Sequence, residues 1–249
     1  MTRFTLLGVP VDALTEAEAV DWVARAIADG RPRLVISVNP ERIMHAGRDP
    51  AFAAELRRAD LALADGAGVL WAARRLGQPL PGRVAGVDFV TALAARGGAA
   101  GWRFYLLGGG AGVAEAAGGV LRDTYPGFIL AGAQPGSPDP GSDAVTTEAV
   151  RASRAQVLLL AYGAGAEEAW LARNLEPSGA IIGLGVGGAF DFISGRARRA
   201  PRWMREHGLE WLHRLARQPW RWRRMLALPR FVLQVLLQRR PPGPNEGSP

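Results

Sequence analysis

Cysteine is absent from the 249 residues, lysine is absent as well, and histidine occurs three times. Without cysteine there are no disulfide frameworks, thiolate metal sites or cysteine nucleophiles, and a reducing compartment is the natural setting. Without lysine no Walker-type phosphate loop can be completed. His45, His207 and His213 lack an HExxH or comparable spacing, so no metal site is expected and packed or solvated imidazoles are the plain alternative. Long apolar runs are missing too: no window approaches the roughly 18 to 20 uninterrupted residues of a membrane-spanning helix. The opening MTRFTLLGVPVD has neither the apolar length nor the cleavage site of a secretory signal, so the chain is expected to stay in the cytoplasm.

Hydrophobic residues make up 48% of the chain, enough for one substantial core. All 30 basic residues are arginines. Thirteen of them fall between Gly195 and Arg240, opposed there only by Glu206 and Glu210, so the formal charge of +7 belongs to that segment. Trp203, Trp211, Trp220 and Trp222 lie in it as well. The expected organisation is an α/β core over 1–194, a basic Trp/Arg-rich appendage over 195–240 and a disordered tail over 241–249. Pro201, Pro219 and Pro229 cut the appendage into short helical pieces. In Gly208–Gln218 one face carries Trp211, Leu212 and Leu215, with Arg214 and Arg217 outside it, a pattern suited to an anionic lipid surface. A charged helix docked through its apolar stripe is the alternative, and nucleic acid is a competing anionic partner.

Short runs rich in Val, Ile and Leu alternate with amphipathic stretches, which predicts a mostly parallel sheet covered by helices on both faces. The strands are expected at Arg33–Val38, Leu61–Ala64, Arg103–Leu107, Phe128–Ala131, Gln156–Ala161 and Ala180–Leu184. Thr15 with Glu18 makes a capping box for a helix over Glu16–Ala28, and Asp49-Pro50 opens another that runs to Arg58. Further helices are expected at Gly68–Arg75, Gly86–Ala95, Val113–Tyr125, Thr146–Ser153 and Ala166–Asn174.

In such sheets ligands bind beyond the carboxyl ends of the strands. Those positions hold Ser37 and Asn39, Asp65-Gly66-Ala67-Gly68, Gly108-Gly109-Gly110, Gly163 to Gly165, and Gly187-Gly188. Glycines there let backbone amides approach a diphosphate, although each cluster taken alone also fits a tight turn that needs positive φ. Asp65 is a candidate general base for a sugar hydroxyl; as a bare sequence feature it also suits the N-cap of the helix that follows. Ser37 and Asn39 offer a hydroxyl and an amide to a sugar, or serve as turn residues before Pro40.

The segments SVNPERIMHAGRDPAF, ADLALADGAGVLWAARRLGQPLPGRVAGVDF, YLLGGGAGVAE and GLGVGGAFDFISGRARRAPRWMREHGLEWLHRLARQPWRWRR occur in that order. With them the chain resembles the WecG/TagA/CpsF family of glycosyltransferases from about Val35 to Gln238. The resemblance implies a Rossmann-like core with a membrane-touching C-terminal appendage. It also implies inverting, metal- and cofactor-independent transfer of an N-acetylmannosamine-type hexose from UDP to N-acetylglucosamine on undecaprenyl diphosphate. By motif, Asp65 falls on the family's proposed base, Ser37 stands where threonine is common, and Asn39 matches an asparagine. Arg83, Asp88, Gly187, Gly188 and Asp191 match also, and Arg214, Arg221 and Arg224 are implied to clamp a diphosphate.

One stretch departs from the family pattern: Gly-x-Pro-Lys-Gln-Glu is replaced by Gly163-Ala164-Gly165-Ala166-Glu167-Glu168. Glutamate at 167 is expected to set a negative charge near two anionic substrates. The alternative function is therefore an altered homologue that binds nucleotide-sugar or membrane without transfer. Nucleic acid is set aside, because it leaves the glycine-rich strand ends unexplained. The expected location is the inner face of the cell membrane, held peripherally, and a homo-oligomer stays open.

Overall fold

The computed structural model describes residues 1–217, 219 and 222–238, apart from the side chains of Glu206, Arg223 and Arg224. Arg221, Trp220 and the 241–249 segment lie outside the described residues, as does the side chain of Arg224.

The chain begins with a hairpin, β1 (Thr2–Leu6) and β2 (Val9–Ala13), followed by α1 (Glu16–Asp29) and β3 (Arg33–Val38). Two short helices, α2 (Pro40–Ala46) and α3 (Pro50–Arg57), precede β4 (Leu61–Ala64), α4 (Ala67–Arg75) and α5 (Gly86–Ala100). Then come β5 (Arg103–Gly108), α6 (Val113–Thr124), β6 (Ile129–Gln134), α7 (Asp143–Ser153), β7 (Val157–Ala161), α8 (Ala166–Asn174) and β8 (Ile182–Gly185). After α9 (Ala189–Ile193), which closes the core, the basic segment forms α10 (Arg202–Glu206), α11 (Glu210–Arg217), α12 (Trp222–Met225) and α13 (Ala227–Leu237).

The eight strands form one sheet in the order β1-β2-β4-β3-β8-β7-β5-β6, parallel throughout except for the β1–β2 hairpin. Alternate residues of each apolar strand enter opposite layers, as the two-residue period of a strand requires. Leu34, Ile36 and Val38 join one core with Ile43, Phe52, Val69 and Trp170, whereas Val35 joins the other with Val23, Phe89, Ala117 and Phe190. Helices therefore cover both faces, as the alternating pattern implied.

The hairpin was not foreseen, because its turn is Leu7-Gly8 rather than Asn-Gly and its second strand carries Pro10 and Asp12. Leu7 and Gly8 both take positive φ, +48° and +86°, as a two-residue hairpin turn demands. Asp12 is buried with its carboxylate fully partnered: it accepts Arg3 Nε and Nη2 at 2.8 and 2.7 Å and the Ala62 amide at 2.8 Å. The turn expected before Pro40 is in fact the start of α2, where Asn39 caps and proline occupies the first helical position. The last helix among the described residues, α13, returns to the body, packs on α2 and α4, and buries Phe231 and Val235 in the core with Ile43 and Val69.

Candidate active site

Adjacent strands β4, β3, β8 and β7 all end at one edge, so their following turns line one mouth. Ser37 and Val38 pair in register with Leu63 and Ala64, which sets Asp65 beside the end of β3. The Asp65 amide donates to Val38 O at 2.8 Å, and Ser37 Oγ donates to Asp65 Oδ2 at 3.2 Å. The N-cap of α4 is Gly66, at φ +94°, and it makes no side-chain capping bond. Asp65 is thus not the cap that its sequence position suggested, and its carboxylate points elsewhere. The loop after α4 returns to the same place, with the Val84 amide on Ala64 O at 2.8 Å, and brings Arg83 within electrostatic range of Asp65.

Burial raises the Asp65 carboxyl above the usual aspartate range; Arg83 opposes this, Glu210 adds to it, and hydrogen bonds from Ser37 and the Gly86 amide lower it in part. A carboxylate made more basic in this way is better matched to accepting a hydroxyl proton near neutral pH.

The basic segment lies across this mouth. Arg83 Nη1 donates to Glu210 Oε2 of α11 at 3.2 Å, and Arg199 Nε reaches Glu210 Oε1 at 3.4 Å. Arg199 also grips Asp88 with both terminal nitrogens, one at 2.7 Å, and that bond holds the Asp88 carboxyl below its ordinary range. The Gly208 turn before α11 leaves no room for a side chain against Ala67. Between these parts lies a cavity of about 300 Å³ lined by Ala67, Leu70, Arg83, Arg202, Arg205 and Gly208. A second, of about 370 Å³, includes Phe192, Arg196, Arg198, His213, Arg214 and Arg217 in its lining. Arg214 stacks over the Phe192 ring at 5.3 Å, and its Nη2 occupies the space that a side chain at Gly188 would need. Arg196 Nη2 donates to Ala111 O at 2.8 Å, closing the far end over the loop after Gly110.

The structure thus brings Asp65, Ser37, Arg83 and Gly66 together, and sets Gly187, Gly188, Asp191 and Arg214 at the ends of the neighbouring strand and helix. Asn39 caps α2, its side chain accepting the Arg42 amide at 3.0 Å. Gly68 faces Pro40, where an added Cβ would lie 2.7 Å from the ring. Gly108 is at φ +107° with the Ala161 backbone 2.7 Å from any Cβ, and the Gly109 amide bonds Ala161 O. Close packing of backbone therefore accounts for Gly68 and Gly108. Glu167 does not present a bare charge to the mouth: its carboxylate is buried and paired with Arg42 at 2.6 Å. The residues that the sequence did not single out are Arg42, Arg196, Arg199 and Glu210; their partners lie between 11 and 127 residues away, beyond the reach of local pattern.

The profile of the glycosyl transferase WecG/TagA/CpsF family matches residues 4–244. The chain belongs to that family. It is similar to the N-acetylglucosaminyldiphosphoundecaprenol N-acetyl-beta-D-mannosaminyltransferase of Bacillus spizizenii (strain ATCC 23059 / NRRL B-14472 / W23), 34% identical over 83% of this chain and 79% of that one. The protein of the same description from Bacillus subtilis (strain 168) is 30% identical over 95% of this chain and 92% of the relative. As a family member the protein is a glycosyltransferase.

Proposed function

We propose that the enzyme moves an N-acetylmannosamine-type hexose from UDP to N-acetylglucosamine carried on undecaprenyl diphosphate, in the building of a cell-surface polysaccharide or teichoic acid. The observation that carries this reading is the placement of Asp65, a basic carboxylate hydrogen-bonded to Ser37 and overlooked by Arg83, which itself lines a cavity shared with Arg202 and Arg205 of the C-terminal segment. The printed activity of both Bacillus relatives supports it.

In this scheme Asp65 takes the proton of the acceptor hydroxyl as its oxygen attacks the anomeric carbon from the face opposite the diphosphate. The bond from that carbon to UDP breaks, its electron pair leaves with the phosphate, and a single displacement inverts the centre. Ser37 orients Asp65, glycine turns after β7 and β8 lie against the donor phosphates, and Arg214 with its neighbours in the basic segment offsets the growing charge. Neither metal nor cofactor enters the scheme.

Among the described residues no helix is long and apolar enough to cross a membrane. The basic segment nevertheless exposes Trp203, Trp211, Leu212, Trp222, Leu233 and Leu237 beside its arginines, which supports peripheral attachment at the membrane face where a lipid-linked acceptor resides. The test is incubation of the purified protein with a set of UDP-sugars and a short-chain lipid-diphosphate N-acetylglucosamine, read by mass spectrometry. A new product heavier by one N-acetylhexosamine is expected; nucleotide binding with no product from any donor would favour the non-transferring alternative.

A further inference from the structure

Arg42 and Glu167 are absent from the scheme above, yet their side chains are 6% and 0% exposed, far more enclosed than ordinary charged groups. Arg42 is the third residue of α2, and one guanidinium nitrogen donates to Glu167 Oε2 at 2.6 Å. Its other terminal nitrogen donates to Glu168, whose second oxygen accepts the Gly165 amide at 2.7 Å. Glu167 Oε1 accepts two backbone amides, Gly163 at 3.1 Å and Gly187 at 2.6 Å. Both glycines take positive φ, +89° and +54°, in the turns after β7 and β8. One oxygen atom therefore ties together two turns of the mouth, and the guanidinium ties that carboxylate to the helix that begins at Asn39.

Charge decides what the arrangement tolerates. Removing the cation alone leaves two adjacent buried carboxylates unpaired, and their repulsion pulls Glu167 off the glycine amides. An amide at 167 can still accept both N–H groups through its one oxygen, but its NH2 then faces the guanidinium, donor against donor. Each single change is a misfit, of opposite kind; the two changes made together remove the donor clash and the carboxylate–carboxylate repulsion, and leave Glu168 without its cation but still bonded to the Gly165 amide.

We infer that Arg42 and Glu167 are a matched positioning pair that holds the Gly163 and Gly187 turns in register for the donor diphosphate, and that glutamate serves at 167 because Arg42 faces it. The inference rests on the donor reading above for its ligand, but not for its geometry. Its test uses the full chain and four variants: Arg42→Met, Arg42→Lys, Glu167→Gln, and Arg42→Met with Glu167→Gln. UDP affinity is measured by calorimetry, donor KM and kcat by turnover, and exchange of the Gly163 and Gly187 amides by NMR.

Arg42→Met and Glu167→Gln are each expected to weaken UDP binding about 10-fold, to raise donor KM more than they lower kcat, and to speed exchange at both glycines. The double variant is expected to lose clearly less than the two single losses multiplied together, a coupling that independent sites do not show. Arg42→Lys, which keeps the charge but cannot fork to both glutamates, falls between parent and Arg42→Met and substitutes for the latter should it not fold. Additive losses in the double variant, or lowered melting temperatures with UDP affinity and glycine exchange unchanged, would overturn the pairing. A parent that binds no UDP would instead sink the donor reading, while the exchange measurements on the free protein still decide the pair.

Discussion

At position 65 a carboxyl is held in an environment that disfavours its charge, chiefly through burial, with Glu210 adding repulsion. Between the pKa of the unfolded chain and the higher one of the native state, the folded protein binds more protons, so stability falls as pH rises through that interval. Asp65→Asn cannot ionise and escapes this loss. At neutral pH its melting temperature is expected to lie about 2 °C or more above the parent's, as calorimetry will show, while turnover falls by roughly 10²–10⁴-fold. A stabilised but inactive variant is the signature of a group retained for chemistry against the interest of the fold. Unaltered turnover would remove Asp65 from the reaction.

Elements, rather than single side chains, explain why the mouth holds its shape. Asn39 sits two residues after Ser37 and starts α2 by accepting the Arg42 amide. Asn39→Ala is expected to cost about 1 kcal/mol in chemical denaturation, the usual worth of a cap, whereas Asn39→Asp keeps the cap and the stability. A loss of turnover in both variants would show that the amide also meets substrate; loss in neither leaves it a cap. On the other side of α2, the described last helix α13 inserts Phe231, 1% exposed, between α2 and α4 near Gly68. Phe231→Ala is expected to destabilise the whole protein by about 3 kcal/mol, since it opens a cavity in the core rather than loosening a surface arm. A cost below about 1 kcal/mol would mean that α13 docks only superficially.

Across the whole molecule, charge and apolar exposure are divided between a body with acids in slight excess and a segment dense in arginine and tryptophan. That segment is fixed to the body through Arg199 to Asp88 and Glu210 to Arg83. Trp203 and Trp222 are more than half exposed, as are Leu233 and Leu237. Binding to vesicles containing anionic lipid is expected to weaken with added salt, because the arginine contribution is screened within about 8 Å at physiological ionic strength. Replacing Leu233 and Leu237 together by glutamate is expected to lower co-sedimentation at least about 10-fold with the fold intact. Vesicle binding indifferent to both salt and this substitution would refute attachment through the basic segment.

What the amino-acid sequence determined on its own is local and periodic. The parallel strands, the Thr15 capping box, the glycines at strand ends and the basic C-terminal segment follow from two- and 3.6-residue periods, cap chemistry and composition, none of which needs a distant partner. The β1–β2 hairpin stayed hidden because a buried Asp12 is tolerable only once Arg3 and the Ala62 amide meet it. Glu167 read as a charge exposed to its ligands for the same reason: its neutralising guanidinium lies 125 residues earlier in the chain. Whether a buried charge is a liability or a tether depends on what the fold sets within 3 Å of it, and only the tertiary arrangement of strands and helices decides that.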